Sequence, residues 1–276
     1  MQREPYIVTC RHALICLMLA LFVASGAQAS SATGDLAGYR LQRQTRVQGV
    51  ADNLSGLAYD ARHDRLLAVV NNPSTLLVLD TDGRMLRRIA LDGFEDTEGV
   101  ALLADGRVAV TEEGRNQIAI FALPPKGIDR ARHRDARIFR LDLFAHGNDG
   151  YEGLAYDARH DCFWMVKERR PRGLFQLCGL LRGGTVQAIT DHSAWLKVAH
   201  PGKDLSGIEF DAASGHLLLL SDESRRVTEI ARGGKRIARR ALDQAHPPQP
   251  EGIAVDGHGH LYIVSEPNLF YRYGRD

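Results

Sequence analysis

The chain contains a five-fold internal repeat, and this repeat constrains the fold more than any other feature of the sequence. Two copies, LSGLAYDARHDRLLAVV from Leu54 and YEGLAYDARHDCFWMVK from Tyr151, share the string YDARHD. Looser copies begin at Thr97, Leu205 and Pro250. Each copy has a glycine near its start, at Gly56, Gly99, Gly153, Gly207 and Gly252. The number of residues between successive repeat glycines is typical of solenoids and β-propellers, in which each repeat is one supersecondary unit.

Each repeat predicts a small antiparallel sheet. A short strand begins at the glycine and ends at a turn with Asp or Gly, and an apolar strand such as LLAVV or FWMV follows. A third strand alternates apolar and polar residues, as in TLLVLD, and four of the repeats have a fourth strand. This pattern is typical of an all-β protein. We therefore predict a β-propeller of five four-stranded blades, with six blades as the alternative if residues 191–204 contain another strand.

The two ends of the repeat region predict how the ring closes. The last repeat ends after its third strand, at residues 269–273, and a spare strand at residues 39–47 precedes the first repeat. The N-terminal strand is expected to complete the last blade, which leaves no open seam. Residues 30–276 would then form a single domain. Because inner strands crowd toward the axis, the repeat glycine and the small residue after it are expected to be structural; four repeats have alanine there, namely Ala58, Ala101, Ala155 and Ala254.

The first 29 residues have the layout of a secretory signal. Arg3 and Arg11 lie before an apolar run at residues 13–24. The sequence AQA follows at residues 27–29, with small residues at the positions that signal peptidase recognises. We predict a signal peptide at residues 1–29 and a periplasmic or secreted protein. The alternative is an uncleaved anchor in the inner membrane, with the domain facing the periplasm.

The charge balance argues against nucleic-acid binding, and the cysteine content bears on the compartment of the protein. There are 35 Lys and Arg against 34 Asp and Glu, so the chain lacks the basic character expected of a nucleic-acid-binding protein. Once the signal is removed, Cys162 and Cys178 remain, on either side of a predicted hairpin turn that would place them opposite each other. An oxidising compartment permits a disulfide between them. Two buried free thiols are the alternative.

Propeller geometry brings acidic residues to one mouth of the ring. The residue before each repeat glycine and the turn after each second strand share one face. The predicted metal ligands there are Glu98, Glu152, Glu251, Glu112, Asp222 and Glu266, and the predicted ligand-binding residues are Ser55, Ser206, Asn71 and Glu168. Oxygen ligands of this kind suit calcium. The alternative is a set of solvated carboxylates paired with nearby arginines, including Arg115, Arg169, Arg225 and Arg226.

The repeat strings together resemble the SdiA-regulated (YjiK-like) β-propellers of bacteria. The resemblance rests on LSGLAYD, TEGVA, YEGLAYD, DLSGIEFD and PEGIAVD, followed by LYIVSEPN, in this order behind a signal sequence. It implies an exported single-domain propeller that is membrane-associated and linked to calcium. A more distant similarity is to gluconolactonase propellers, in which a Glu beside a blade-start Gly ligates a divalent metal. The Asn ligands expected in other blades of that family do not occur at the corresponding positions.

These observations predict a calcium-dependent ligand-binding or scaffold protein of the cell envelope. We expect a monomer that binds a small polar ligand or an envelope protein, with peripheral or N-terminally anchored membrane association and no nucleic-acid partner. The alternative is a metal-dependent hydrolase, a lactonase or phosphoesterase, in which a Glu is the general base and Lys167 and Arg169 bind substrate. A third possibility is a protein-interaction platform that uses the blade edges.

Overall fold

Five separate sheets make up the fold in the computed structural model, which describes residues 36–141, 150–169, 171–183, 188–242 and 247–275. Blade 1 contains β2 (Leu54–Asp60), β3 (Arg65–Val70), β4 (Thr75–Asp80) and β5 (Met85–Asp92). Blade 2 contains β6 (Thr97–Leu102), β7 (Arg107–Glu112), β8 (Gln117–Ala122) and β10 (Arg137–Arg140). Blade 3 contains β11 (Tyr151–Asp157), β12 (Cys162–Lys167), β13 (Gly173–Cys178) and β14 (Ala188–Asp191).

The remaining strands form the last two blades. Blade 4 contains β15 (Gly207–Asp211), β16 (His216–Ser221), β17 (Arg226–Ile230) and β18 (Arg236–Ala241). Blade 5 contains β19 (Gln249–Val255), β20 (Leu261–Glu266), β21 (Leu269–Arg275) and the N-terminal β1 (Tyr39–Arg46). The helices are short: α1 (Leu180–Gly183), α2 (Ala194–Ala199) and 3₁₀ turns at Leu36–Gly38, Glu113–Arg115, His133–Asp135 and Arg232–Gly234. The prediction of a five-bladed all-β propeller is confirmed.

Two local features differ from the sequence expectation. A short strand, β9 (Arg130–Arg132), pairs in parallel with β5 and widens blade 1 by one strand. The segment that was the basis of the six-blade alternative holds α2 between β14 and β15, so that alternative is wrong.

The core of the protein is divided among the five interfaces between neighbouring blades. One apolar cluster lies at each interface. Because side chains alternate along a strand, β3 contributes to two of them: Leu67 and Val69 pack toward blade 2, while Leu66 and Ala68 pack toward blade 5. This explains why the second strand of each repeat is a continuous apolar run.

Glycine at the repeat position allows the inner strands to approach closely. A Cβ on Gly56 would lie 2.3 Å from the Glu98 carbonyl oxygen, and one on Gly153 would lie 2.9 Å from the Ile208 nitrogen. A Cβ on Gly252 would lie 2.8 Å from the carbonyl carbon of Gly56, which links the last blade to the first. Backbone contacts at these distances leave no room for a side chain, so the glycine follows from the geometry of the ring.

Strand β1 closes the ring as the sequence predicts. It pairs antiparallel with β21, from Tyr39 opposite Arg275 to Arg46 opposite Leu269. The amide of Asn268 extends the closure, because its side-chain nitrogen donates to the Val50 carbonyl at 2.6 Å. The last blade therefore takes its outer strand from the other end of the chain.

A disulfide joins Cys162 and Cys178. The two cysteines are direct partners in the register of β12 against β13, which is the opposition that the hairpin spacing predicts. Of the two alternatives left open by the sequence, the structure contains the bridged one.

The predicted signal at residues 1–29 lies outside the described residues. Among the residues that are described, the helices are far too short for any of them to traverse a bilayer.

Candidate functional site

Three glutamates occupy irregular positions on the innermost strands. The register of β11 against β12 shifts between Tyr151 and Gly153, which leaves Glu152 as the extra residue of a β-bulge. A shift in β19 does the same for Glu251, and the shift in β6 includes Glu98. A bulge re-aims a side chain and interrupts strand pairing, and bulges are common beside functional sites.

Glu98 is buried and only partly compensated. Its carboxylate accepts a hydrogen bond from Asn71 Nδ2 at 2.8 Å. Burial raises the pKa of Glu98 to about 7, against the opposing effect of hydrogen bonds from Asn71 and Ser55, and Asp96 and Glu113 raise it further. Desolvation therefore exceeds hydrogen bonding at this carboxyl, so a large fraction of it stays protonated near neutral pH.

Glu152 and Glu251 belong to the same electrostatic group. Burial raises the pKa of Glu152 well above its usual range, and the negative charges of Glu98, Glu113 and Glu251 raise it further. Burial likewise raises the pKa of Glu251, with Glu98 among the charges that add to the effect. In the described part of the chain no arginine, lysine or histidine forms an ion pair with these three glutamates.

Three carboxylates at this mouth lie close enough to share one cation. Oxygen atoms of Asp96, Glu98 and Glu113 are all within 4.8 Å of one another. Glu113 also accepts a hydrogen bond from the Gly150 amide at 2.9 Å. Calcium binds oxygens at 2.3–2.6 Å, so two of its ligands are separated by up to about 5 Å. The donor set and its spacing fit that ion. We call Asp96, Glu98, Glu113, Glu152 and Glu251 the acidic mouth.

Glu113, and not the predicted ligand Glu112, joins the acidic mouth. Glu112 is fully buried on the other side of blade 2, where its carboxylate contacts Arg115 at 3.1 Å and His133 at 3.0 Å. Alternation along β7 explains the difference: Val110, two residues before Glu112, packs toward blade 1. The period of two in VAVTEE shows that Glu112 and Glu113 lie on different sides, but the contact of Val110 with blade 1 is needed to tell which of them faces the mouth.

The two serines predicted to bind ligand hold neighbouring blades together instead. The Ser55 hydroxyl donates to the Glu98 carbonyl at 3.2 Å, and the Ser206 hydroxyl donates to the Pro250 carbonyl at 2.7 Å. Both side chains are buried. Asp96, which the sequence analysis missed, lies two residues before Glu98 and could have been found from that spacing along the strand.

The other predicted residues surround the acidic mouth. Asn71 contacts Glu98 directly. Burial raises the pKa values of Asp222 and Glu266, and both carboxylates add to the raised pKa of Glu251. Two of these carboxylates have arginine partners: Asp222 lies 4.0 Å from Arg225, and Glu168 is paired with Arg169.

A cavity of about 840 Å³ lies next to the acidic mouth, between blades 1 and 2. Asn71 and Asp96 line it together with three further acids, Asp92, Glu95 and Asp129. Its one lining cation is Arg88, whose guanidinium donates to the Gly49 carbonyl. The acidic mouth therefore borders a space with the volume of a small-molecule site.

The solved structures that resemble this chain in fold have low sequence identity to it. A luciferin-regenerating enzyme matches with 12% identity and a TM-score of 0.53, covering 84% of this chain and 94% of its own. A gluconolactonase from Xanthomonas campestris, XC5397, matches with 14% identity and a TM-score of 0.52, covering 88% and 97%. A chain of a nidogen/laminin complex matches with 16% identity and a TM-score of 0.53, covering 78% and 73%. At these identities the similarity concerns the fold alone.

A sequence profile of a known family matches nearly the whole of the described domain. The profile of the family described as SdiA-regulated matches residues 31–274, which include all five blades. The chain belongs to the SdiA-regulated family.

Proposed function

We propose that this protein is an exported envelope propeller that binds calcium at the acidic mouth and takes a polar ligand there without transforming it. The observation that carries the proposal is the proximity of the Asp96, Glu98 and Glu113 oxygens, within 4.8 Å of one another. Besides burial, repulsion from Glu98 and Glu113 raises the pKa of Glu152, and repulsion from Glu98 raises the pKa of Glu251. A divalent cation would relieve this repulsion, because it favours the ionised form of each carboxylate.

Export is supported by two independent features. The first 29 residues have the three-part layout of a signal peptide. Cys162 and Cys178 are disulfide-bonded, and structural disulfides form and persist in oxidising compartments. Fractionation of cells that produce the full chain tests this part: the protein should be periplasmic or secreted, oxidised, and shortened by the signal. A reduced, full-length cytosolic protein would contradict it.

Thermal unfolding with calcium as the only added ligand tests the metal site. Purified protein is stripped with chelator and heated with increasing calcium. Binding to the folded state alone stabilises it by about 2.7 kcal/mol at one hundred times the Kd. Glu98→Gln combined with Glu113→Gln should remove most of the calcium-dependent rise in Tm.

Asp135→Asn is the matched control, since it removes one carboxylate that is exposed and lies 3.9 Å from Arg134, outside the acidic mouth. It should leave the calcium response intact. If the stripped wild-type protein shows no calcium-dependent rise in Tm, or if the double variant responds as the wild type does, the proposed metal site is wrong.

The alternative of a metal-dependent hydrolase is favoured by one observation, the pKa of Glu98 near 7, which suits a general base. The proposed substrate-binding cations do not add support. Lys167 is buried and donates to the Arg169 carbonyl, and Arg169 is paired with Glu168 and Glu223. Turnover of a lactone or phosphoester panel that disappears in chelator and in Glu98→Gln would establish this alternative. Calcium binding without turnover would favour the binding protein.

A further inference from the structure

A second cavity lies between blade 3 and the segment that connects β14 to β15, where the sequence analysis assigned no separate site. We propose that it binds an organic anion with an apolar body, such as a medium-chain carboxylate. Its volume is about 690 Å³, within the range of small-molecule sites. The cavity is separate from the acidic mouth, and none of its residues belongs to the proposed calcium site.

The floor of the cavity is apolar. Phe175 of β13 and Leu196 of α2 line it and are 2% and 3% exposed. Pro171 and Ala194 add further apolar surface. Burying a ligand's hydrocarbon against such a floor is favourable by about 25 cal/mol per Å² of apolar surface removed from water.

The rim of the cavity carries uncompensated positive charge. Lys197 and Lys203 line it, and neither forms an ion pair among the described residues. Arg172 donates to the Gly202 carbonyl, a neutral partner. One acid, Asp191, lies at the rim, and its carboxylate accepts a hydrogen bond from the Ser193 amide. Among the described lining residues, these three cations outnumber the single acid, so the rim attracts a negative group.

Arg169 does not contribute to this charge. It lines the same cavity, but its guanidinium is paired with Glu168 and contacts Glu223 at 3.0 Å. The ligand's anionic group would therefore meet the two lysines and Arg172, each of which keeps a charged donor free of carboxylate contact among the described residues.

An insertion in the repeat builds this cavity. The connection from β14 to β15 spans residues 192–206, whereas β5 and β6 are joined by residues 93–96. The longer segment contains α2, which supplies Ala194, Leu196 and Lys197 to the lining. Its Leu196 and Ala199 are buried in the interface of blades 3 and 4, so the helix is fixed to the ring. Completing the blade does not require these residues.

The two halves of the cavity select the ligand class. The cationic rim favours a carboxylate, sulfonate or phosphate monoester, because charge-assisted hydrogen bonds are the strong ones. The apolar floor favours an attached alkyl chain or aromatic ring over a free inorganic anion. An amine with the same apolar body would be repelled by the rim.

Tryptophan fluorescence provides the measurement. The chain has two tryptophans, and both lie here: Trp195 is in α2 between two lining residues, and its ring centroid is 6.0 Å from that of Trp164. The protein is titrated with octanoate, octylamine, 1-octanol and inorganic phosphate. Octanoate should change the emission saturably at the lowest concentration, and inorganic phosphate should bind weakly if at all.

Charge variants separate this site from non-specific binding. Lys197→Met combined with Lys203→Met should weaken octanoate binding on the order of tenfold per lysine, the effect expected for loss of a charge-assisted hydrogen bond. Lys197→Glu with Lys203→Glu should reverse the preference toward octylamine. Lys126→Met with Arg134→Met, which removes two exposed cations elsewhere, should change neither.

Three results would overturn the proposal: no saturable octanoate binding, equal affinity for octanoate and octylamine, or an unchanged affinity in the double lysine variants. Circular dichroism and the calcium-dependent Tm of each variant show that it is folded and that the acidic mouth is intact. A failure at this cavity is thereby distinguished from a failure of the calcium site.

Discussion

Replacing Glu98 by Gln should stabilise the calcium-free protein at high pH and have little effect at low pH. Gln has nearly the same shape, and its side-chain oxygen can still accept the hydrogen bond from Asn71. What the substitution removes is ionisation inside the acidic mouth. Because burial raises the pKa of Glu98 to about 7, the wild-type protein loses stability when this carboxyl must ionise in the folded state.

The direction and size of the change in stability follow from the pKa of Glu98 in the folded state and in the unfolded state. Below the ordinary pKa of 4.5 the Glu98 carboxyl is protonated in both the folded and unfolded states, and the stability that its protonated form contributes is fully present. As pH rises through about 7 it is lost, because the unfolded chain ionises first. At about 1.4 kcal/mol per pKa unit, the loss at pH 8 is roughly 3 kcal/mol. For a domain of this size that corresponds to about 6–12 °C in Tm.

The assay is thermal unfolding of wild type and Glu98→Gln in chelator, from pH 4.5 to pH 8. The difference in Tm should be small at pH 4.5, grow through pH 6 and 7, and level off above that. Addition of calcium at pH 8 should raise the Tm of the wild type more than that of the variant. A difference that is independent of pH, or a variant that is less stable than the wild type at pH 8, would refute the assignment of Glu98 as a buried carboxyl without a cationic partner.

Three further predictions concern the ring itself. Replacing Cys162 and Cys178 by alanine should lower the free energy of unfolding by about 3 kcal/mol, from the 16-residue loop, with reductant destabilising the wild type alone. Glu209→Ala should raise the urea midpoint at pH 8 more than at pH 4, since desolvation and the charge of Asp211 raise the pKa of Glu209. Gly153→Ala should lower stability by about 1–3 kcal/mol, because its Cβ would meet the Ile208 nitrogen of the next blade at 2.9 Å; an unchanged midpoint would show that the blades can separate without loss.

Glu209 departs from the residue that the other repeats have at its position. It stands at the position where the other four blades have Ala58, Ala101, Ala155 and Ala254, all buried. Glu209 is only partly buried there, on the inner strand of blade 4. A residue that departs from its own repeat without a visible compensating contact is the first place to look for a purpose other than packing.

Much of the acidic mouth could be predicted from the sequence, because blade geometry carries equivalent repeat positions to one face. Glu98, Glu152 and Glu251 follow directly from the residue before each repeat glycine. Glu112 was assigned wrongly because adjacent strand residues point to opposite sides, and the sequence alone did not indicate which side of β7 faces the mouth. The Val110 contact with blade 1 decides it.

The roles of the two serines could not be predicted from the sequence either. Ser55 and Ser206 occupy the same repeat position as the glutamates, so the sequence treats them alike. Their short hydroxyls donate to a carbonyl of the adjacent blade, whereas a glutamate side chain extends further from the strand. Side-chain length and the distance between blades, neither of which is visible in a repeat alignment, separate a structural contact from a functional group.

The sequence by itself determined the propeller architecture, the strand order within each blade, the closure by β1 and the opposition of Cys162 and Cys178, because these depend on local periodicity and on spacing along the chain. The tertiary structure alone decided between five and six blades and decided which carboxylates meet. It also showed that no arginine neutralises the three central glutamates among the described residues, and that α2 and blade 3 form a cationic cavity. Those properties depend on distances between residues far apart in sequence. Burial and charge act through space, so only the packed ring defines them.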